Sequence, residues 1–155
     1  MIKVARVDHR LVHGQIIYSW LNSADINTIF VVNDDVVNNK ARKQALRMVK
    51  PANVKMVIKS VDEAIEAVNS GVTDKYNMMV VFENIGDAYR FILETKAIDS
   101  LNLGGTLASD DTKQYFSQIN LSGSDIEKLN DLVDRNIEVE VRLVAKDKKQ
   151  IYSKL

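Results

Sequence analysis

The 155-residue sequence contains no cysteine, a single proline and only two histidines. The absence of cysteine excludes disulfides, thiolate metal sites and a thiol nucleophile. An excess of positive charge is also missing, because lysine plus arginine equals aspartate plus glutamate at 21 residues each. This balance argues against nucleic acid as a partner. Long apolar runs are absent too, since TIFVV and NMMVVF fall far short of the roughly 18 residues of a membrane span.

The N-terminal sequence MIKVARVD lacks the apolar core and the small-residue cleavage site of a signal peptide. A chain without cysteine is also compatible with a reducing compartment. Together with the missing membrane span, these features favour a cytoplasmic protein.

The length and the 46% content of hydrophobic residues fit one globular domain, residues 1–155. Apolar patterns alternate between strand-like and helix-like periods along the chain. The predicted strands are residues 2–7, 26–33, 54–58, 76–82, 98–105 and 138–145, and the predicted helices are residues 14–24, 38–49, 61–71, 84–95 and 122–136. A polar loop separates the fifth strand from the last helix. This order predicts an α/β fold: an open, mostly parallel β-sheet with helices on both faces, in a single domain.

Both histidines lie in the stretch VDHRLVHGQ, directly after the first predicted strand. His9 and His13 flank Arg10, and Asp8 precedes them. In open α/β sheets ligands bind where strands end and loops lead into helices, so the position alone makes this loop a candidate site. The competing interpretation is a surface loop in which Asp8 pairs with Arg10 and the histidines have no function.

Metal and nucleotide sites are poor matches to this loop. His9 and His13 are four residues apart, but an HxxxH metal pair needs a helix, and the glutamate of the zincin motif is missing. The chain has no third histidine that could complete a ligand set. The G-x-G-x-x-G and G-x-x-x-x-G-K-[ST] patterns of nucleotide-binding loops are absent as well. We therefore expect neither a metal nor an organic cofactor.

Nucleophilic catalysis by histidine fits the loop better. Imidazole has an ordinary pKa of about 6.5, so at neutral pH most of it has a free lone pair that can attack phosphorus. Arg10 offers a planar fork of donors for phosphoryl oxygens. The helix that begins near Gly14 or Gln15 offers backbone N–H groups and the positive end of its dipole. A glycine beside the histidine also permits close approach of a donor.

The stretch RVDHRLVHGQI, residues 6–16, resembles the signature of enzyme IIB components of the bacterial sugar phosphotransferase system (PTS), in the mannose–fructose–sorbose branch. The spacing R-x-D-x-R-x-x-H-G-Q is specific. Residues 31–51, 100–106 and 132–148 also resemble stretches of this family, so the similarity covers essentially the whole chain.

The resemblance implies a phosphohistidine relay, and hence a phosphotransferase activity. A IIA component would transfer a phosphoryl group to His13, which would pass it to a sugar held in a membrane permease made of IIC and IID subunits. The family pattern implies a phosphate-binding role for Arg10, Gly14 and Gln15, and a supporting role for Asp8 and Arg6. Relatives carry either aspartate or histidine at position 9, so the resemblance gives His9 no catalytic role.

The same resemblance implies a cytoplasmic protein that works at the permease, as a monomer or a homodimer. The sugar reaches the protein only indirectly, because the permease subunits bind it. One alternative keeps the fold but not the relay: a regulatory module that binds a phosphorylated ligand without forming a covalent bond. The intact motif around His13 and Arg10 favours the phosphocarrier.

Several other polar or apolar groups are interpreted structurally. Residues 33–35 are predicted to form a turn rather than a ligand set. Gly104 and Gly105 either turn the chain after a strand or bring backbone close to the active loop. The lysines of residues 146–149 are predicted to be solvent-exposed. The predicted core includes Trp20, Met78 and Met79.

Overall fold

The computed structural model describes residues 1–155, and its centre is a β-sheet. In chain order the strands are β1 (Ile2–Asp8), β2 (Thr28–Val32), β3 (Lys55–Lys59), β4 (Met78–Phe82), β5 (Ser100–Gly105), β6 (Lys113–Phe116), β7 (Ile119–Leu121), β8 (Glu138–Val141) and β9 (Gln150–Ile151). Seven of them form one sheet in the order β3-β2-β4-β1-β5-β8-β9, while β6 and β7 form a separate hairpin. All neighbours in the large sheet are parallel except β8 and β9.

Helices cover both faces of this sheet. They are α1 (Gly14–Ser23), α2 (Lys40–Val49), α3 (Val61–Asn69), α4 (Ile85–Thr95) and α5 (Gly123–Asp134), with a 3-10 turn at Val36–Asn38. Buried side chains of α1 and α2 belong to one core, and those of α3, α4 and α5 belong to the other. None of the helices combines the length and the apolar character needed to cross a membrane.

The alternation of side chains along each strand explains both cores. On β2, Phe30 packs in the core on the α3–α5 face and Ile29 in the core on the α1–α2 face. On β1, Val7 faces the α3–α5 side. Its neighbours Arg6 and Asp8 must therefore point to the α1 side, and both are buried there. Two charged residues at alternating positions of a central strand create a polar patch inside the domain.

The predicted α/β fold with a mostly parallel sheet is confirmed, and a capping box begins α3. The Ser60 side chain accepts from the Glu63 N–H, and the Glu63 carboxylate accepts from the Ser60 N–H. The exposed positions of the late lysines are confirmed too, and the predicted core residues are buried at 3% exposure or less: Trp20, Met78 and Met79.

Two predictions were wrong in part. The polar loop before the last helix contains the β6–β7 hairpin, which the pattern concealed because β6 is largely exposed. The last long strand ends at Val141 instead of Ala145. Residues after it leave the sheet to pack over α1, where the Trp20 indole N–H donates to the Leu143 carbonyl (3.1 Å). The Ala145 N–H donates to the Ser19 hydroxyl oxygen (3.0 Å) in the same region.

Candidate functional site

The loop between β1 and α1 folds back sharply at the carboxyl edge of the sheet. The Leu11 N–H donates to the Asp8 carbonyl (2.8 Å). Leu11 itself has a φ of +61°, a left-handed conformation that costs a residue with a Cβ about 1–2 kcal/mol. Burial of Leu11 and Val12 in the core beneath α1 offsets this strain. The buried pair anchors the loop and leaves Arg10 and His13 partly accessible.

The carboxylate of Asp8 is the centre of the loop. Its side chain is fully buried and accepts five hydrogen bonds. Oδ1 accepts from the Arg10 backbone N–H (3.0 Å) and Nε (3.0 Å). Oδ2 accepts from Arg6 Nη2 (2.9 Å) and Arg10 Nη2 (3.2 Å) and lies 3.2 Å from His13 Nε2.

These contacts keep Asp8 ionised. Burial by itself raises the pKa of Asp8, but the hydrogen bonds from Arg10 and the charges of Arg6 and Arg10 outweigh it and lower the pKa to about 2. An ionised carboxylate can only accept hydrogen bonds. The contact with His13 therefore requires the proton to be on Nε2.

With the proton on Nε2, the lone pair of the neutral His13 ring lies on Nδ1. Burial lowers the pKa of His13, and the charges of Arg10 and Arg6 lower it further, against the opposing effect of Asp8. His13 is also the N-cap residue of α1, but its side chain does not cap the helix. His13 thus directly precedes the first turn of α1 and has an unprotonated ring nitrogen, the state that a nucleophile needs.

His13 is partly open to solvent, and so are the two residues that follow it. Gly14 and Gln15 are exposed in the first turn of α1. Gly14 has a φ of +41°, and a Cβ placed on it would touch nothing within 4 Å. The Arg10 side chain is 35% exposed, although its guanidinium currently binds Asp8. Exposed N–H groups, an arginine and a helix N-terminus together form a suitable environment for an anion.

Arg6 supports the carboxylate from inside the domain. Its Nη1 donates to Asn102 Oδ1 (2.7 Å) and to the Arg142 carbonyl (3.1 Å). A Cβ placed on Gly104 would lie 2.1 Å from Arg6 Cζ. Gly104 therefore leaves the space that the Arg6 guanidinium occupies.

A second group of polar residues continues from Arg6 toward β8. The Asn102 amide donates to Glu140 Oε1 (3.1 Å), and Arg142 Nη2 donates to the same carboxylate oxygen (2.9 Å). Both arginines lie near the Trp20 ring, whose centroid is 5.4 Å from Arg6 Cζ and 4.9 Å from Arg142 Cζ. Sequence reasoning missed these partners. The available signal was the polar residue at every second position of otherwise apolar strands, as in SLNLGG and EVEV.

His9 lies on a different side of Asp8 from His13. Its ring is 26% exposed, and Nδ1 is 3.9 Å from Asp8 Oδ1 without a hydrogen bond. The ring borders a polar cavity of about 260 Å³, whose lining includes Asn84, Thr106 and Asn120. The two histidines thus contact opposite oxygens of one carboxylate instead of forming a pair.

The turn after β2 is a structural turn, as predicted. Asn33 Oδ1 accepts from the N–H groups of Asp35 (3.0 Å) and Val36 (2.9 Å). Asp34 Oδ1 accepts from the Val61 N–H at the start of α3 (2.9 Å). No three histidine, aspartate or glutamate side chains in the chain converge on a point where a metal ion could bind.

Comparison with known proteins identifies the family. The model of the PTS system sorbose subfamily IIB component matches residues 2–155. The fructose-specific EIIB component of Bacillus subtilis is 30% identical over 146 residues, which are 94% of this chain and 90% of that protein. The mannose-specific EIIAB component of Escherichia coli K12 is 32% identical over 149 residues, which are 96% of this chain and 46% of that protein.

Solved structures agree with this match. The crystal structure of the IIBSor domain of the sorbose permease from Klebsiella pneumoniae superimposes with a TM-score of 0.91 at 28% identity, over 97% of this chain and 92% of that one. The N-acetylgalactosamine-specific IIB component 1 of Escherichia coli has a TM-score of 0.89 at 20% identity, over 97% and 98% of the two chains, and shows the shared fold.

Proposed function

The chain belongs to the sorbose subfamily of PTS IIB components, and we propose that it carries a phosphoryl group on His13 from a IIA component to a sugar. The observation that supports this role most strongly is the contact between His13 Nε2 and the ionised Asp8, which leaves Nδ1 as the nucleophile. We propose that the whole chain, residues 1–155, acts as one IIB domain.

Phosphoryl transfer to His13 needs no other reactive group. The lone pair of Nδ1 forms the N–P bond while the bond between phosphorus and its donor atom on the IIA component breaks, and the donor keeps that electron pair. Asp8 holds the Nε2 proton and stabilises the positive charge that develops on the ring. In the second step the sugar hydroxyl oxygen attacks phosphorus, Nδ1 keeps the electron pair of the broken N–P bond, and the hydroxyl proton passes to water.

Positioning and charge provide the remaining catalysis, as is usual in phosphoryl transfer. Arg10 is the exposed cation next to His13, and its forked guanidinium matches the phosphoryl oxygens. The backbone N–H groups of Gly14 and Gln15 supply further donors at the start of α1. Arg6 acts indirectly, because it fixes the carboxylate that orients His13.

We propose a IIA component and the IIC and IID subunits of a permease as the partners. The EIIAB relative, whose name combines IIA and IIB, supports the first of these. His13 must be presented to each partner in turn and released again. A small transient interface around residues 8–15 fits this requirement. The protein would thus work in the cytoplasm, at the membrane face of the permease, as a monomer or a homodimer.

A labelling experiment tests the proposal. The protein is incubated with phosphoenolpyruvate, the general PTS proteins and a IIA component, and the label is then mapped on peptides kept at alkaline pH. We expect an acid-labile label on the wild type and on His9→Ala, and none on His13→Ala. Labelling that persists in His13→Ala would overturn the role of His13, and non-covalent binding without any label would favour the phospholigand-binding module.

A further inference from the structure

His9 carries an unusual atom. Its Nδ1 is the only buried side-chain nitrogen or oxygen in the chain without a hydrogen-bond partner. Buried polar groups in native proteins are nearly always paired, so an exception calls for a reason. The backbone fixes the residue, because the His9 N–H donates to the Gly105 carbonyl (3.0 Å). The unpaired Nδ1 lies 3.9 Å from Asp8 Oδ1.

The proposed role of Arg10 would remove hydrogen bonds from the same carboxylate oxygen, Oδ1 of Asp8. In the structure Arg10 Nε and Nη2 both bind the Asp8 carboxylate. An arginine that turns its fork toward phosphoryl oxygens must give up those bonds. Oδ1 would then retain only the Arg10 backbone N–H. A buried carboxylate that loses donors carries a substantial free-energy penalty.

The other neighbours cannot replace the lost donor. Arg6 is fixed on Oδ2, on Asn102 and on the Arg142 carbonyl. His13 also faces Oδ2. His9 Nδ1 is free, is on the Oδ1 side, and needs to move by less than about 1 Å to reach the usual N–H···O distance of roughly 2.7–3.2 Å.

We propose that His9 is a positioning residue, whose Nδ1–H donates to Asp8 Oδ1 when Arg10 turns to the phosphoryl group. Either the neutral Nδ1–H tautomer or the imidazolium can donate this bond. The exchange keeps the carboxylate ionised and in place, so that it continues to hold His13 Nε2. The phosphoryl group that makes Arg10 turn rests on the proposed phosphocarrier function. The replacement of one donor by another at Asp8 Oδ1 does not depend on that function.

The first test needs no phosphoryl transfer. In the unphosphorylated Arg10→Met variant the guanidinium is absent, so a crystal structure should show His9 Nδ1 within about 3.2 Å of Asp8 Oδ1. The ¹⁵N shift of Nδ1 should change to that of a protonated nitrogen. Arg10→Leu, which also lacks a side-chain donor, serves as a second variant with the same expectation. A separation that remains at 3.9 Å or increases in both variants would overturn the proposal, whatever the fate of the relay.

The second test uses rates of labelling from a phosphorylated IIA component. In asparagine the Nδ2 amide lies as many bonds from Cα as Nδ1 does in histidine, so His9→Asn retains a donor at the required place. His9→Leu should slow the acceptance of phosphoryl by about tenfold, the value of one hydrogen bond to a charged group. His9→Asn should remain within about twofold of wild type by the same reasoning. Equal rates for the leucine and asparagine variants would refute the role of the donor.

Discussion

The loop after β1 and the turn after β2 lie at the same edge of the sheet and contain similar residues. Each has an aspartate that binds an arginine, Asp8 with Arg10 and Asp35 with Arg42. The surroundings differ sharply: the Asp8 side chain is 0% exposed, whereas that of Asp35 is 67% exposed. Only the loop after β1 places its carboxylate in the interior.

The difference shows how one set of residue types can form either a structural turn or a reactive site. In the turn after β2, Asn33 and Asp34 bind backbone N–H groups, and Arg42 is held between Asp35 and Glu83. The polar side chains of this turn are thus paired with neighbouring groups. In the loop after β1 the buried carboxylate uses one nitrogen of His13 and leaves the other available. We therefore ascribe the reactivity of this loop to the ring nitrogen that the fold leaves available.

The largest expected effect is a difference in the free energy of unfolding between variants of the two aspartates, Asp8 and Asp35. Asp8→Asn leaves the Arg6 guanidinium buried without its counter-ion and should lower the free energy of unfolding by about 3–5 kcal/mol. Asp35→Asn removes an exposed ion pair and should cost less than about 1 kcal/mol. Urea denaturation at neutral pH measures both. Similar losses for the two variants would contradict the distinction between the loops.

The free energy of unfolding at acid pH should depend on the same buried carboxylate, that of Asp8. The pKa of Asp8 falls from an ordinary 3.8 to about 2 in the folded protein. Its stabilising contribution is therefore complete above about pH 4 and is lost as the pH falls toward 2, and it amounts to about 2 kcal/mol. The difference in unfolding free energy between wild type and Asp8→Asn should shrink across that range. A difference that stays constant from pH 5 to pH 2 would show that the carboxylate titrates normally.

Variants of the two arginines, Arg10 and Arg42, can be compared by their rates of phosphoryl transfer. Arg10→Lys keeps the charge but loses the fork, so phosphoryl transfer should slow by about tenfold or more. The fold should survive, because lysine keeps a cation beside Asp8 and the carboxylate retains its bonds from Arg6 and from the backbone N–H of residue 10. Arg42→Lys provides the matched control and should transfer at the wild-type rate. Normal transfer by Arg10→Lys would remove Arg10 from the phosphate-binding group.

The smallest expected effect is a pattern of NMR shifts. Addition of the matching IIA component should perturb the backbone amides of residues 8–15 and leave those of β3, at the far edge of the sheet, unchanged. The shifts should saturate only at high IIA concentration, because the complex is transient. Perturbations confined to β3 would place the interface elsewhere.

The sequence was sufficient for the parts of the molecule that depend on local patterns. Alternating helices and strands predicted the sheet, and the motif placed Arg10 and His13 in one loop. The contact between Arg6 and Asn102 joins residues 96 positions apart, and no local pattern specifies it. The sequence indicates this contact only indirectly, through polar residues at alternating positions of buried strands, because such residues require partners inside the domain. The β6–β7 hairpin was missed because its first strand is mostly exposed and lacks an apolar face.

The central claim is that Asp8 holds Nε2 of His13 and leaves Nδ1 to accept the phosphoryl group. NMR of the phosphorylated, ¹⁵N-labelled protein at alkaline pH tests it directly, because coupling to ³¹P identifies the bonded nitrogen. We predict coupling to Nδ1 of His13, with a protonated Nε2. Coupling to Nε2 of His13, or to either nitrogen of His9, would contradict the account.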